Sequence, residues 1–218
     1  GLSRAGILYA EGSQYGATLA DAFERVYGEG DGEVVVRRTY DQDGDLFFEV
    51  LERVREEAPD VLYLPGYSTP INTLVTQARQ FGLVQPIIGS DGWHSPNLDL
   101  TVADGAYLTT HFYVDEPRAL VRDWVQLYEA RYLTAPDALA TMSFDAANLL
   151  FASMETSGIL EPTLVAQALG EIVFEAVSGS ITFDEAHNPV KPLIVMRVDT
   201  TGFVFQGRFW GTDEAPEE

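Results

Sequence analysis

Apolar positions follow two patterns over residues 1–90, short runs and helical spacing. Short Val-, Ile- and Leu-containing runs predict strands, and the run at 61–64 is apolar throughout, as in a strand buried on both faces. Between these runs, apolar positions recur at helical spacing. The predicted strands are 4–9, 33–39, 61–64 and 86–89, and the predicted helices are 15–26, 46–58 and 69–81. Strands that alternate with helices in this way indicate a parallel α/β sheet.

Residues 106–218 are patterned differently, because long helical stripes dominate and few strands accompany them. The predicted helices are 118–132, 137–156 and 161–170, and the predicted strands are 106–110, 180–183, 192–199 and 203–209. The last two strands form a hairpin around residues 200–202. The apolar stripe of each helix must pack against another apolar surface, but this part of the chain has too few strands to form a sheet that covers all three helices. We therefore expect these stripes to be partly exposed or covered by another copy of the chain.

Composition narrows the class of protein. The 218 residues include 46% hydrophobic residues, which argues against a disordered chain, and no cysteine, which excludes a disulfide framework. No apolar run approaches the ~18 residues of a membrane span. The net charge of −21 argues against nucleic acid and anionic membranes as partners, since both require basic patches. Such an acidic surface is either adapted to salt or a solubility device.

The loops that follow the first, third and fourth predicted strands carry the candidate site. If the strand order is 2-1-3-4, these loops meet beyond the carboxyl ends of the strands, where open α/β sheets bind ligands. The candidate ligand-binding residues are Tyr15, Tyr67, Ser68, Asp91 and Trp93. This set suits a small polar ligand with a cationic end. The alternatives are that Tyr15 packs at a helix start, that Asp91 caps a turn, and that Trp93 anchors the core.

Signs of catalysis are weak. The chain has no cysteine nucleophile, and the segment 66–70 lacks the final glycine of a nucleophile elbow. The three histidines are dispersed without metal-ligand spacing. Asp41, Asp43 and Asp45 superficially resemble a calcium loop, but Leu46 stands where glycine is needed, so an acidic turn ending in an Asp45 helix cap is favoured. We predict no enzyme activity, no metal and no cofactor.

An ordered set of short motifs resembles the type I periplasmic solute-binding proteins, with the leucine/isoleucine/valine-binding family of ABC importers as the nearest branch. Each motif alone is weak, and their order along the chain makes the resemblance specific. The motifs are Ser13-Gln-Tyr-Gly16, Leu64-Pro-Gly-Tyr67, the segment 77–83, Gly89-Ser-Asp-Gly-Trp93, the segment 109–112, Trp124 with Tyr128 and Tyr132, the segments 136–138 and 144–147, and the segment 177–184.

The resemblance implies a division into lobes. Family members have two α/β lobes joined by three crossovers, with the ligand between them. Residues 1–108 and 190–210 would form the second lobe, 112–185 the returning, mainly helical part of the first lobe, and 211–218 an acidic tail. The opening β/α units of the first lobe would be absent. A fragment of a longer protein is therefore expected, with a natural half-length protein as the alternative.

The resemblance also implies a function. Tyr15 and Tyr67 match the two tyrosines that the second lobe gives to the ligand, and Asp91 matches the acid that pairs with an α-ammonium group. The implied protein is the periplasmic or extracellular binding component of an ABC importer, and a lipid anchor on the full-length protein is compatible with this role. It would bind a small ligand, most simply a branched-chain amino acid, as its two lobes close about a hinge. The closed protein would then dock on a permease. The alternative is a ligand-sensing domain of the same fold in a regulator or receptor.

Overall fold

The computed structural model describes residues 1–210 except 42, 45 and 159. It divides the chain into two compact units. Unit 1 comprises Gly1–Thr109 with Met196–Gln206, and unit 2 comprises Thr110–Val195 with the described residues that follow Gln206. The predicted Asp45 cap and the acidic tail at 211–218 lie outside the described residues.

Strands and helices alternate through the first part of unit 1. In chain order the elements are β1 (Arg4–Ala10), α1 (Gln14–Glu29), β2 (Glu33–Tyr40), α2 (Phe48–Glu57), β3 (Val61–Leu64), α3 (Ser68–Gln80), β4 (Ile87–Gly89), a 3₁₀ turn (Asp91–Trp93) and β5 (Tyr107–Thr110). Two long strands near the carboxyl end, β9 (Leu193–Asp199) and β10 (Gly202–Phe209), complete the list. The predicted helices and strands of this part are confirmed, and their ends differ by at most three residues from the prediction.

These strands form one seven-stranded sheet in the order β10-β9-β5-β4-β3-β1-β2. β1 lies parallel to both β2 and β3, and β3, β4 and β5 continue in parallel. The predicted 2-1-3-4 order is therefore confirmed. Because the strands are parallel, the loops after β1, β3 and β4 leave the sheet at the same edge.

Helical stripes and apolar strands form the core of unit 1. All four residues of β3 are buried, and so are Leu51 and Val54 on α2 and Leu74 and Val75 on α3. These helix positions are spaced three or four residues apart or lie next to one another, so each helix turns one apolar side toward the sheet. The sheet is thereby covered, as its continuous apolar strands require.

Unit 2 is mainly helical. Its elements are α4 (Ala119–Tyr132), α5 (Ala138–Ser157), α6 (Pro162–Glu171), β6 (Phe174–Ala176), β7 (Gly179–Phe183) and β8 (Pro189–Val190). The three short strands form a separate sheet in the order β6-β7-β8, with antiparallel pairing. The strands β6 (Phe-Glu-Ala) and β8 (Pro-Val) were not predicted, because neither is a continuous apolar run that follows a helix, the pattern that predicted the equally short β4.

An aromatic cluster holds the start of unit 2 together. Phe112, Val121 and Trp124 are buried with Val177, and the Trp124 ring stacks on Phe144 with centroids 4.1 Å apart. The Trp124 indole N–H donates to Thr141 Oγ1 at 2.9 Å, which joins α4 to α5. A buried indole usually needs such a partner for its polar edge.

Part of the apolar surface of the unit 2 helices is exposed, as the sequence predicts. Leu127 on α4, Leu139 and Phe151 on α5, and Leu164 on α6 all face solvent. Clusters of exposed apolar side chains mark surfaces that contact another chain segment or another molecule. Among the described residues, none of these helices has the length and apolar character needed to span a bilayer.

Candidate functional site

Three loops of unit 1 converge at the edge where β1, β3 and β4 end. Tyr15 enters from the start of α1, Tyr67 from the loop after β3, and Asp91 from the 3₁₀ turn after β4. The phenol of Tyr15 donates a short hydrogen bond to Asp91 Oδ1. The rings of Tyr15 and Tyr67 stack with centroids 5.1 Å apart. The structure therefore brings together three of the five predicted ligand-binding residues.

Local sequence explains how Tyr15 reaches this position. Ser13 caps α1, and its hydroxyl accepts the Gly16 N–H at 3.0 Å. A Cβ on residue 16 would lie 3.0 Å from Tyr9 Cβ and 3.4 Å from the Pro65 carbonyl oxygen. Glycine at residue 16 therefore lets the helix begin this close to β1 and the β3 loop without displacing Tyr9. This close approach places the ring of Tyr15 against that of Tyr67.

The Tyr15 phenol is the centre of a hydrogen-bond network. Besides Asp91, it lies 2.9 Å from Ser90 Oγ, and it accepts the Gly92 N–H at 3.2 Å. Burial, reinforced by the hydrogen bond to Asp91, raises the pKa of Tyr15 far above its usual value near 10. The phenol therefore stays protonated at physiological pH and acts as a donor to the carboxylate.

Tyr67 and Asp91 form the accessible part of the site. Tyr67 is 61% exposed and Asp91 is half-buried. A carboxylate bonded to the hydroxyl of one of two stacked tyrosines attracts a cation by its charge, and the aromatic rings add to the attraction through their quadrupoles. The Tyr67 ring adds apolar surface next to the charge. This arrangement can bind a small molecule that has a cationic group next to an apolar group.

Ser68 and Trp93 are placed differently from the other three. Trp93 is fully buried, and its indole N–H donates to the Leu64 carbonyl at 3.0 Å. Ser68 is also buried, at the first position of α3. Trp93 therefore occupies the position of a core anchor, the alternative that the sequence left open, and neither side chain presents much surface to a ligand.

Ser90 and Gly92 belong to the site although the sequence did not single them out. The Ser90 hydroxyl is buried and accepts the Gly66 N–H at 3.1 Å, so it joins the β3 loop to the β4 loop. Gly92 donates its N–H to the Tyr15 phenol. The available signal was their position directly after a parallel strand, next to Asp91.

Gly92 also allows the two loops to meet, which gives a first prediction. A Cβ on residue 92 would lie 2.6 Å from the Gly66 carbonyl oxygen, a backbone atom that cannot move alone. We expect Gly92→Ala to lower the free energy of unfolding by about 1–3 kcal/mol, because it forces the β3 and β4 loops apart. Chemical denaturation of the purified chain measures this change.

The matched control is Gly28→Ala on α1. A Cβ there has nothing within 4 Å, and alanine favours the helix. We expect Gly28→Ala to leave stability unchanged or raise it by up to ~1 kcal/mol. Equal stability of the two variants would show that the loops do not depend on this close contact.

The described part of the chain contains no group of three histidine, aspartate or glutamate side chains that could hold a metal ion.

Two other tyrosines near the strand ends are buried. Burial raises the pKa of Tyr40 and of Tyr63 to about 12, and the Asp91 charge adds to the shift at Tyr63. Both phenols therefore remain neutral beside the site.

Comparisons with known proteins identify relatives of the chain. A family model described as "Periplasmic binding protein" matches residues 1–203. A curated relative, the leucine-, isoleucine-, valine-, threonine-, and alanine-binding protein of Pseudomonas aeruginosa, is 22% identical over 177 residues. That match covers 79% of this chain and 47% of the relative, so the chain spans about half the relative's length.

Solved structures share the fold. A leucine binding protein from Thermotoga maritima has a TM-score of 0.88 at 24% identity, over 98% of this chain and 62% of that chain. A branched-chain amino acid transporter substrate binding protein from Streptococcus pneumoniae, in complex with isoleucine, has a TM-score of 0.79 at 23% identity, over 96% and 60%. An R. palustris solute binding protein in complex with benzoate has a TM-score of 0.79 at 22% identity, over 95% and 58%.

Proposed function

The chain belongs to the periplasmic binding protein family, and from this premise we propose that it forms part of a receptor for a small amino acid in an ABC import system. One observation carries the proposal. The Asp91 carboxylate lies beside two stacked tyrosine rings at the carboxyl edge of a parallel sheet. This is the place in an open α/β sheet where a small ligand binds.

The chemistry of the site favours an ammonium group. Asp91 supplies the negative charge, and the Tyr15 donor fixes the orientation of its carboxylate. The exposed face of Tyr67 supplies apolar surface for an aliphatic side chain. We infer a branched-chain amino acid as the ligand class, in keeping with the relatives named for leucine and isoleucine. The benzoate complex of another relative makes an aromatic acid the competing class.

Unit 1 would provide one side of this site. Asp91 and the two tyrosines suit the cationic end of an amino acid, and its carboxylate requires donors from elsewhere in the complete protein. We propose that unit 1 corresponds to one lobe of the family fold and unit 2 to the returning part of the other. The exposed apolar side chains on the helices of unit 2 support this division, because they are surfaces for further β/α units or for a second copy.

The proposed mechanism is capture by closure. Two lobes bend about the segments that connect them, and the ligand exchanges water for fixed hydrogen-bond partners. The closed form would then dock on a permease in the periplasm or outside the cell. This view assigns the chain to binding rather than to catalysis.

Titration of the 218-residue chain with a matched pair of ligands tests the proposal. L-Leucine and 4-methylpentanoate share a carbon skeleton, but only leucine has an ammonium group. We expect leucine to shift the backbone amide NMR signals of Tyr67 and Gly92 with an affinity of about 1 mM or weaker. The acid without the amine should bind at least ~10-fold more weakly, because it cannot pair with Asp91.

Two variants complete the test. Asp91→Asn should abolish the preference for leucine, whereas Asp123→Asn, an exposed carboxylate on α4, should keep it. Equal responses to both ligands would contradict the role of Asp91 and the amino acid class. Micromolar or tighter binding by this chain alone would contradict the division of the site between two lobes.

A further inference from the structure

Charged side chains in unit 2 close around the backbone of residues 176–178. Asp145 on α5 is buried, and its two oxygens accept the Val177 N–H at 2.9 Å and the Ser178 N–H at 2.8 Å. A buried carboxylate that receives two backbone donors is well satisfied. Asp145 therefore uses both of its oxygens to hold this segment.

Two guanidinium groups bind the backbone carbonyls of the same segment. Arg118, directly before α4, donates to the Ala176 carbonyl at 3.3 Å and to the Val177 carbonyl over a shorter distance. Arg208 on β10 donates to the Ser178 carbonyl at 3.4 Å. Glu116 pairs with both guanidiniums, each at 2.5 Å. The carboxylate of Glu116 is thus shared between two cations.

The third cation is Lys191, which is the only lysine in the sequence. Its ammonium donates to Ser178 Oγ at 2.6 Å. We call Glu116, Arg118, Asp145, Lys191 and Arg208 the clasp. It contains three cations and two carboxylates. Because those carboxylates serve the guanidiniums and the backbone amides, the ammonium of Lys191 bonds to a neutral hydroxyl in a half-buried position.

Charge is unfavourable at this position. Burial is the main cause that lowers the pKa of Lys191 to about 8, and Arg208 and Arg118 add to the effect. Asp145 opposes it without cancelling it. An arginine in place of the lysine would remain charged in this environment, because a guanidinium keeps its proton throughout the physiological pH range.

We propose that the clasp is a charge-sensitive device within unit 2, in which loss of the positive charge on Lys191 strengthens the hold on residues 176–178. The sign follows from proton binding. The unfolded chain keeps Lys191 protonated up to about pH 10.4, whereas the folded chain releases the proton near pH 8. Between these values the unfolded state binds more protons, so stability increases as the pH increases.

Direct titration of Lys191 is the first test. A chain with a single lysine gives a single set of lysine ε-CH₂ NMR signals, so no assignment is needed. We expect a midpoint near pH 8 in the folded chain. Arg208→Met should raise that midpoint, because it removes a neighbouring cation. A midpoint near the ordinary value of about 10.4 would overturn the proposal.

Hydrogen exchange of the Val177 and Ser178 amides is the second test, because both amides donate to Asp145. After correction for the intrinsic rate, we expect their protection to increase by about tenfold between pH 7 and pH 9. Lys191→Met, a neutral side chain of similar length, should show the higher protection already at pH 7. Lys191→Arg should show no increase.

Arg131→Met is the matched control, because it removes an exposed cation from α4 outside the clasp. In this variant, the protection of the Val177 and Ser178 amides from hydrogen exchange should increase with pH as it does in the unchanged chain. The same pH response in Lys191→Arg as in the unchanged chain would overturn the proposal.

Discussion

Trp93→Ala is expected to lower the free energy of unfolding by about 3–5 kcal/mol. The side chain is fully buried, and a Cβ on Gly89 would lie 2.3 Å from its ring, so β4 packs directly against the indole. The substitution leaves a cavity under the site. It also removes the indole N–H that donates a hydrogen bond to the Leu64 carbonyl. Urea denaturation followed by circular dichroism measures the loss.

Val84→Ala is the matched control for Trp93→Ala. Val84 is exposed, and we expect a change within ±0.5 kcal/mol. A second comparison is Trp93→Phe, which keeps most of the ring volume and should retain part of the lost stability. If Trp93→Ala unfolded like the unchanged chain but lost ligand binding, Trp93 would be a ligand contact rather than a core anchor.

The second large effect is expected for Asp145→Ala in unit 2. The substitution leaves the buried Val177 and Ser178 N–H groups without their acceptor and leaves the Lys191 ammonium without its nearest opposing charge. We expect a loss of about 3–5 kcal/mol, the usual result of removing one partner from a buried charged group. Urea denaturation followed by circular dichroism measures it.

Asp145→Asn separates charge from hydrogen bonding. The amide oxygen can still accept one backbone N–H, so this variant should lose less stability than Asp145→Ala. Asp123→Ala, an exposed carboxylate on α4, should change stability by no more than ~0.5 kcal/mol. Equal losses for Asp145→Ala and Asp123→Ala would show that the two backbone bonds to Asp145 contribute little.

Periodicity predicted the sheet well because amphipathic helices separate its first four strands and mark even the short apolar runs between them as strands. The helices α1, α2 and α3 each carry an apolar stripe, and β3 is apolar throughout. The strands β6 and β8 were not predicted, although their partners in β7 lie only three to eight residues away in the chain. Neither is a continuous apolar run that follows a helix, so no local pattern marks them as strands.

The candidate site was predicted in part. Parallel strand order places the loops after β1, β3 and β4 together, and this was enough to select Tyr15, Tyr67 and Asp91. Spacing does not show which way a side chain points. Trp93 and Ser68 share those loops but are buried, while Ser90 and Gly92 enter the hydrogen-bond network of Tyr15.

The sequence by itself determined the element order, the parallel sheet, the acidic surface and the residues at the strand ends, because each depends on local pattern or composition. Only the tertiary structure decided that Tyr15 donates to Asp91, that Trp93 belongs to the core, and that Lys191 joins a charged clasp. Asp145 lies on α5 and Lys191 follows β8, and their coupling arises only when folding brings both to residues 176–178. Burial then gives a single lysine an environment that its neighbours in sequence do not reveal.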